Sequence, residues 1–355
     1  MEARYTVLIM GATYGSLLAI KLLLAGHRVT LACLPDEAER INAEGIVVRM
    51  PVKGRDGLVT IRSRDIGGEL SAATPDAVSP ADFDLVALAM QEPQYRAEGP
   101  RRLLAATASA GVPCMSIMNM PPLTFLRRLP AIDIDGIRPC YTDPGVWDGF
   151  DPALMTLASP DPQAFRPPGE PPNVLQVSLP TNFKVARFPS DDHTAMLRAM
   201  EAGIEAVRFD PGDGAVELPV KLRVHESVFV PLAKWAMLLT GNYRCIGDGP
   251  ARSIREAVHS DLEESRAVYD WVCAVCRALG AAEDDLVPFE KYAAAAQGLA
   301  KPSSVARAVD AGMPHVERVD CLVRTVAAAR GMHNDRVDAI VDLVDAKLAA
   351  NRRAA

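Results

Sequence analysis

Aromatic residues are scarce. The chain has 3 Trp, 7 Tyr and 9 Phe in 355 residues, so its core must be built mainly from Ala, Leu and Val. No apolar run reaches the roughly 18 residues of a membrane-spanning helix, so no membrane partner is expected. Basic residues are outnumbered, 38 Lys and Arg against 45 Asp and Glu, for a net charge of -7. No basic stripe with interleaved aromatics occurs, which argues against a nucleic-acid partner. Cysteine supplies no framework either: the seven are scattered and odd in number. The one close pair, Cys273 and Cys276, sits in the helical-looking stretch AVYDWVCAVCRAL with no second Cys or His pair nearby. That pair reads as core packing rather than a metal or redox site. Met1-Glu2-Ala3-Arg4 runs straight into Val7-Leu8-Ile9-Met10, an apolar run too short for a secretory signal. A cytoplasmic protein with reduced thiols is the expectation.

What is present fits a globular chain: 49% hydrophobic and 23% charged residues, with length enough for two domains of roughly 100–200 residues. No internal repeat is visible. TVLIM (6–10) predicts a buried strand, 15–25 a helix stopped by Gly26-His27, and RVTLACL (28–34) a second strand. Residues 36–44 predict a short polar helix. FDLVALAM (83–90) and PCMSIMN (113–119) predict two more buried strands, with a helix over 95–110 between them. This alternation predicts an α/β fold with a Rossmann-like parallel sheet. The proline-crowded SPDPQAFRPPGEPP (159–172) reads as an exposed loop, and LQVSLPTNFKVARF (175–188) as antiparallel strands. Helical periodicity dominates beyond 215, over 219–240, 250–280, 283–298, 302–311, 315–331 and 335–350. The division is expected in Asp210-Pro211-Gly212-Asp213-Gly214. That gives a dinucleotide-binding domain over 1–213 and an all-helical substrate and catalytic domain over 214–355.

The first strand–turn–helix unit suggests a dinucleotide site, because helix N-terminal N–H groups and small residues let a pyrophosphate approach the backbone. The candidate cofactor residues are Gly11, Ala12, Thr13, Tyr14 and Gly15. The pattern is not a clean G-x-G-x-x-G: aligned on Gly15, its first two glycine positions hold Met10 and Ala12. After the second strand, Asp36 is placed either to meet a ribose or to begin the next helix. Arg40 reaches a phosphate only if its helix turns it inward.

Several segments together resemble the ketopantoate reductase (2-dehydropantoate 2-reductase) family. They are GSLLAIKLLLAGHRVTLACLPDEAERINAEGI (15–46), FDLVALAMQEPQ (83–94), SIMNM (116–120), PLAKWAMLLTGN (231–242) and KPSSVARAVDAGMPHVE (301–317). The resemblance implies reduction of a small 2-oxo acid with NADP(H). It implies Lys234 as general acid, with Asn242 and Glu317 in the catalytic set. Asn119 and Ser304 would contact substrate, and Asn119 and Gln91 would lie on the cofactor side. The family's basic residue after the second strand falls at Leu34, and its Lys after the third falls at Gln91. Those departures leave NAD open as the cofactor. The Asn expected between Lys234 and Asn242 is Leu238, and Glu317 aligns only with one residue inserted after Gly312; otherwise Val316 takes its place. A homodimer stays among the open assemblies. An opine-type or imine reductase, and a nucleotide-binding protein without catalysis, are the alternative functions.

Lys234 lies alone in the apolar stretch VFVPLAKWAMLL (228–239), suited either to a proton donor or to a stem that snorkels to water. On an unbroken helix Lys234 and Asn242 would stand about 80° apart. His225 and His315 are rival acids.

Overall fold

The computed structural model describes residues 3–354. These form two compact units, one of residues up to 90, 94–125 and 146–226, the other of residues 91–93, 126–145 and 227 onward. The first unit therefore runs past the expected division at 213.

The first unit opens with β1 (Thr6–Met10), α1 (Ala12–Leu24), β2 (Arg28–Ala32), α2 (Pro35–Glu44), β3 (Val47–Pro51), β4 (Leu58–Arg62), β5 (Glu69–Ala73) and β6 (Leu85–Leu88). Next come α3 (Glu98–Ala110), β7 (Cys114–Ile117) and a one-turn helix at the unit's boundary, α4 (Leu123–Leu126); another one-turn helix, α5 (Ile134–Ile137), falls in the second unit. The chain continues through β8 (Met155–Ser159), β9 (Gln163–Phe165), β10 (Val174–Leu179), β11 (Phe183–Ala186), α6 (Asp191–Ala206) and β12 (Leu222–His225). Eight strands form one sheet in the order β12-β11-β8-β7-β6-β1-β2-β5. The six from β8 to β5 are mutually parallel, while β11 and β12 run the other way. The expected Rossmann-like parallel core is thus present. It is extended by β11 and β12, parallel to each other and antiparallel to β8, which draws β12 out of the helical region expected over 219–240.

A second sheet, β4-β3-β10-β9, was not expected. Strands β10 and β11 do not form the antiparallel pair anticipated over 175–188: β10 pairs with β3 and β9, and β11 with β8 and β12. The proline-rich segment is not simply a loop, because it carries β9. Helix α1 touches strands of both sheets, which explains its apolar composition on every side: ten of its thirteen residues are buried. Lys21 is the exception within it. Its ammonium is held on the Pro219 carbonyl at 2.9 Å, and burial together with nearby Lys221 lowers its pKa to about 7. The next residue, Val220, has φ 64, a strained conformation for a β-branched side chain.

The second unit is helical: α7 (Lys234–Met237), α8 (Ile254–His259), α9 (Leu262–Leu279), α10 (Phe289–Ala296), α11 (Ser304–Asp310), α12 (Val319–Ala328) and α13 (Asp335–Ala354). Capping chemistry breaks the periodic 250–280 stretch in two. Ser253 and Glu256 exchange hydrogen bonds at the start of α8, and the Asp261 carboxylate accepts from the Glu264 N–H at the start of α9. Cys273 and Cys276 are both buried, in keeping with core packing. Among the described residues no helix is long and apolar enough to cross a membrane, and no cluster of three metal-ligating side chains occurs.

Candidate functional site

The cofactor candidates lie at the carboxyl edge of the parallel strands, where ligands bind in open α/β sheets. Gly11 follows β1 with φ 102, and its N–H donates to the Ala32 carbonyl at the end of β2, 2.9 Å away. A Cβ at Gly11 would lie 2.5 Å from Met90 Cγ and 3.0 Å from the Ala89 carbonyl oxygen, so the turn is pressed against the end of β6. At Gly15 a Cβ would lie 2.6 Å from Ile9 Cγ2, so this glycine lets α1 pack closely on β1. No side chain caps the start of α1, and its first turn carries no acid. Its leading N–H groups and the positive end of its dipole therefore suit a phosphate. Ala12 is buried and Thr13 exposed. The Tyr14 side chain is committed to packing: its hydroxyl donates to the Pro162 carbonyl at 2.8 Å and its ring meets Phe183 edge-on. These features fit a dinucleotide held through backbone.

The end of β2 holds a residue that the sequence reading missed. Leu34, in the family's basic position, is 68% exposed and cannot contact a phosphate electrostatically. Arg166, just beyond β9, forms an ion pair there with Glu37 of α2. Burial and the Glu37 carboxylate push the Cys33 thiol up to about 12, and the Arg166 charge opposes them, so both charges act beside the strand end. The only sequence hint was a lone Arg among prolines. Arg40 does not turn inward; it pairs with Glu44 one turn along α2, at 2.8 Å. Asp36 is exposed in the first turn of α2, after Pro35. Asn119, two residues past β7, is half-buried at this same edge of the sheet.

In the second unit the expected helix around Lys234 is interrupted. A 3-10 turn leads into α7, and Leu238–Asn242 then form a π turn. A π turn absorbs one extra residue, rotating the residues after it by about 100°. Lys234 and Asn242 are then separated by about 20° around the axis rather than about 80°.

Side chains hold this turn by taking up its carbonyls. Tyr292 Oη donates to the Met237 carbonyl at 3.1 Å, and Arg244 to Thr240 at 3.4 Å. Cys245 Sγ lies on the Gly241 carbonyl at 3.3 Å, and Ser303 Oγ donates to Asn242 at 2.7 Å. Gly241 is required because a Cβ would collide with the Tyr292 hydroxyl. Ser303, not Ser304, caps α11, accepting from the Ala306 N–H at 3.2 Å; Ser304 is the first helical residue and is half-buried. Tyr243 Oη, just after the turn, donates to the Glu317 carbonyl and accepts from the Val319 N–H at 2.9 Å. The π turn thus ties together the segments carrying Asn242, Ser304 and Glu317, while Lys234 stands half-buried one turn before it.

Glu317 is buried, and one of its carboxylate oxygens accepts from the Glu92 N–H at 3.4 Å. Val316, the alternative residue, is also buried. Glu92, which the sequence reading passed over, accepts two bonds from Thr142, from its N–H at 3.0 Å and its hydroxyl at 2.9 Å. Burial pushes the Glu92 carboxyl up to about 7 against those bonds, with the Glu317 charge adding to the rise. The folded protein therefore binds a proton on Glu92 between pH 4.5 and about 7 that the unfolded chain has released. Stability from this residue is full below the unfolded value and falls as pH rises through the folded one, by about 3 kcal/mol. Lys21 acts in a separate window, adding stability as pH climbs from about 7 toward 10.5. Denaturation of Glu92→Gln is expected to lose the fall between pH 5 and 7.5; a fall of wild-type size would assign it to another group. Gln91 is exposed, and His225 and His315 are half-buried.

No family model matches the chain, and no curated relative does. Solved structures do match. A 2-dehydropantoate 2-reductase from Methylococcus capsulatus aligns with a TM-score of 0.67 at 15% identity, over 98% of this chain and 97% of that one. A dimeric ketopantoate reductase from Staphylococcus aureus aligns with a TM-score of 0.59 at 11% identity, over 98% and 99%. A D-mandelate dehydrogenase in ternary complex with NADH and anilino(oxo)acetate gives a TM-score of 0.63 at 14% identity, over 98% and 99%. At these identities the agreement is one of architecture: the chain has the fold of the 2-dehydropantoate 2-reductases.

Proposed function

We propose that this protein reduces a small 2-oxo acid with NADP(H), Lys234 serving as the proton donor. The observation that carries the reading is the π turn, which puts Lys234 and Asn242 on one helical face and fastens the Ser304 and Glu317 segments beside it. The neighbours of the same fold that are named as ketopantoate reductases and as a mandelate dehydrogenase support the reaction class.

A bound nicotinamide would supply the hydride. The Gly11–Gly15 turn and the uncapped start of α1 would hold its pyrophosphate, and Asn119 and Gln91 would lie on the nicotinamide side. Lys234 Nζ delivers a proton to the substrate oxygen as negative charge grows on it. The Asn242 amide orients that oxygen. Ser304 offers a hydroxyl to the substrate, and Glu317 accepts from a substrate donor.

Arg166 provides the positive charge that Leu34 does not, which favours a 2'-phosphate and hence NADPH over NADH. The test is oxidation of each cofactor by the purified protein across a panel of 2-oxo acids. Turnover dependent on a 2-oxo acid, with NADPH preferred, is the expected result. Arg166→Ala should reduce that preference by about 10–100-fold, the range for one charge-assisted contact. Absence of turnover with every acid and both cofactors would remove the reductase reading. An Arg166→Ala enzyme with unchanged preference would remove the role of Arg166 alone.

A further inference from the structure

Two cysteines 181 residues apart meet in the second unit. Cys140 closes a 3-10 turn, Arg138–Cys140, and Cys321 lies in the first turn of α12. Their Sγ atoms are 3.4 Å apart, within hydrogen-bonding range for sulfur. Cys140 is 4% exposed, while Cys321 is half-buried. Thr325 holds the pair in place: its hydroxyl donates to the Cys321 carbonyl at 2.8 Å and lies 3.6 Å from Cys140 Sγ.

The two thiols are unequal in access, and each can stabilise a thiolate on the other by its S–H; the Arg318 guanidinium lowers the pKa of both. The other five cysteines are buried, and burial raises every one, Cys273 to about 11 and Cys276 to about 12. Thiolate character and access decide thiol reactivity, so the pair that is close in sequence is inert and the pair that is distant in sequence is not.

We propose that Cys321 and Cys140 form a reversible oxidation site whose co-substrate is a hydroperoxide. The Cys321 thiolate sulfur attacks the outer peroxide oxygen and the O–O bond breaks. The departing oxygen takes a proton from water and leaves as an alcohol, or as water if the oxidant is hydrogen peroxide. Cys321 becomes a sulfenic acid. The Cys140 thiol then gives up its proton, and its sulfur attacks Cys321 Sγ. The S–O bond breaks, water leaves with that proton, and a disulfide forms. Two thiols have lost two electrons to one peroxide. The sulfurs need close only from 3.4 Å to about 2.05 Å. No third group is required, since the resolving thiol already sits on the attacking one.

The bridge would join two segments that flank the Glu92–Glu317 contact: Thr142, which holds the Glu92 carboxylate, is two residues from Cys140, and Glu317 is four residues from Cys321. An effect of oxidation on turnover rests on the proposed reductase reading. The oxidation itself does not, and is measured on thiols.

The test treats the full-length reduced protein with hydrogen peroxide, alkylates the remaining thiols and maps the peptides by mass spectrometry. Wild type should lose two of its seven thiols, yield one Cys140–Cys321 linked peptide and recover with dithiothreitol. Cys140→Ser should stop at a sulfenic acid on Cys321, trapped by dimedone. In Cys321→Ser the rate of thiol loss should drop by at least about tenfold, because the remaining thiols are buried and protonated. Retention of all seven thiols by the wild type, a link between any other pair, or undiminished thiol loss in Cys321→Ser would overturn the proposal.

Discussion

Replacing Lys234 by Ala is expected to lower kcat on the best 2-oxo acid by about 10²–10⁴, the scale of a lost general acid. Lys234 begins α7, with buried Trp235 and Ala236 after it, so the backbone there is fixed by its neighbours rather than by the lysine stem. Alanine is the best helix former, and the π turn keeps its supports from Tyr292, Arg244, Cys245 and Ser303. The variant should therefore fold. NADPH affinity should change by less than about threefold, since the groups assigned to the pyrophosphate and the 2'-phosphate, Gly11–Gly15 and Arg166, belong to the other unit. Lys234→Arg should restore little activity, because a guanidinium keeps its proton at any working pH. The measurements are steady-state turnover and cofactor titration on the folded variants. Wild-type turnover in Lys234→Ala would pass the acid role to His225 or His315.

Four of the six strands of the parallel core were legible: β2 by its alternation, and β1, β6 and β7 because burial on both faces makes them unbroken apolar runs such as Val7–Met10 and Leu85–Leu88; β5, mostly exposed at the sheet edge, and β8 were not. Strands β3, β4 and β9 were not legible. They lie in a small sheet with one face toward α1, and their short alternating patterns are interleaved with Arg, Pro and Gly. Strand β12 was hidden for another reason: its four residues, LRVH, run into an apolar stretch whose periodicity resembles a helix. In the site, the candidate types were readable but their arrangement was not. The π turn over Leu238–Asn242 depends on carbonyl partners supplied by Tyr292 and Ser303, residues more than 50 positions away, and only Gly241 marks it locally. The same holds for Arg166 beside Glu37, for Glu92 beside Glu317 and for Cys140 beside Cys321: each pair is made by topology, and no spacing in the sequence announces it.

Gly11→Ala is expected to destabilise the first unit by about 2–5 kcal/mol and to weaken dinucleotide binding by at least about tenfold. Two costs combine at this position. One is conformational: φ 102 is a backbone state that an L side chain rarely adopts, costing about 1–3 kcal/mol. The other is space. The added Cβ would fall 2.5 Å from Met90 Cγ and 3.0 Å from the Ala89 oxygen. Ala89 cannot retreat freely, because its N–H is bound to the Met10 carbonyl at 2.9 Å, and Gly11 is itself fastened to Ala32. Relief of the clash must therefore move the turn that precedes α1, which is the backbone proposed to hold the pyrophosphate. Gly26 separates the two costs. It has φ 85 but nothing within 4 Å of an added Cβ, so Gly26→Ala should show the conformational cost alone, about 1–2 kcal/mol, with dinucleotide binding unchanged. Chemical denaturation of the two variants beside wild type, together with NADPH titration, makes the comparison. If Gly11→Ala proved no less stable than Gly26→Ala and bound NADPH normally, the crowding at Met90 and Ala89 would have no energetic consequence, and the Gly11 turn would lose its place in the cofactor site.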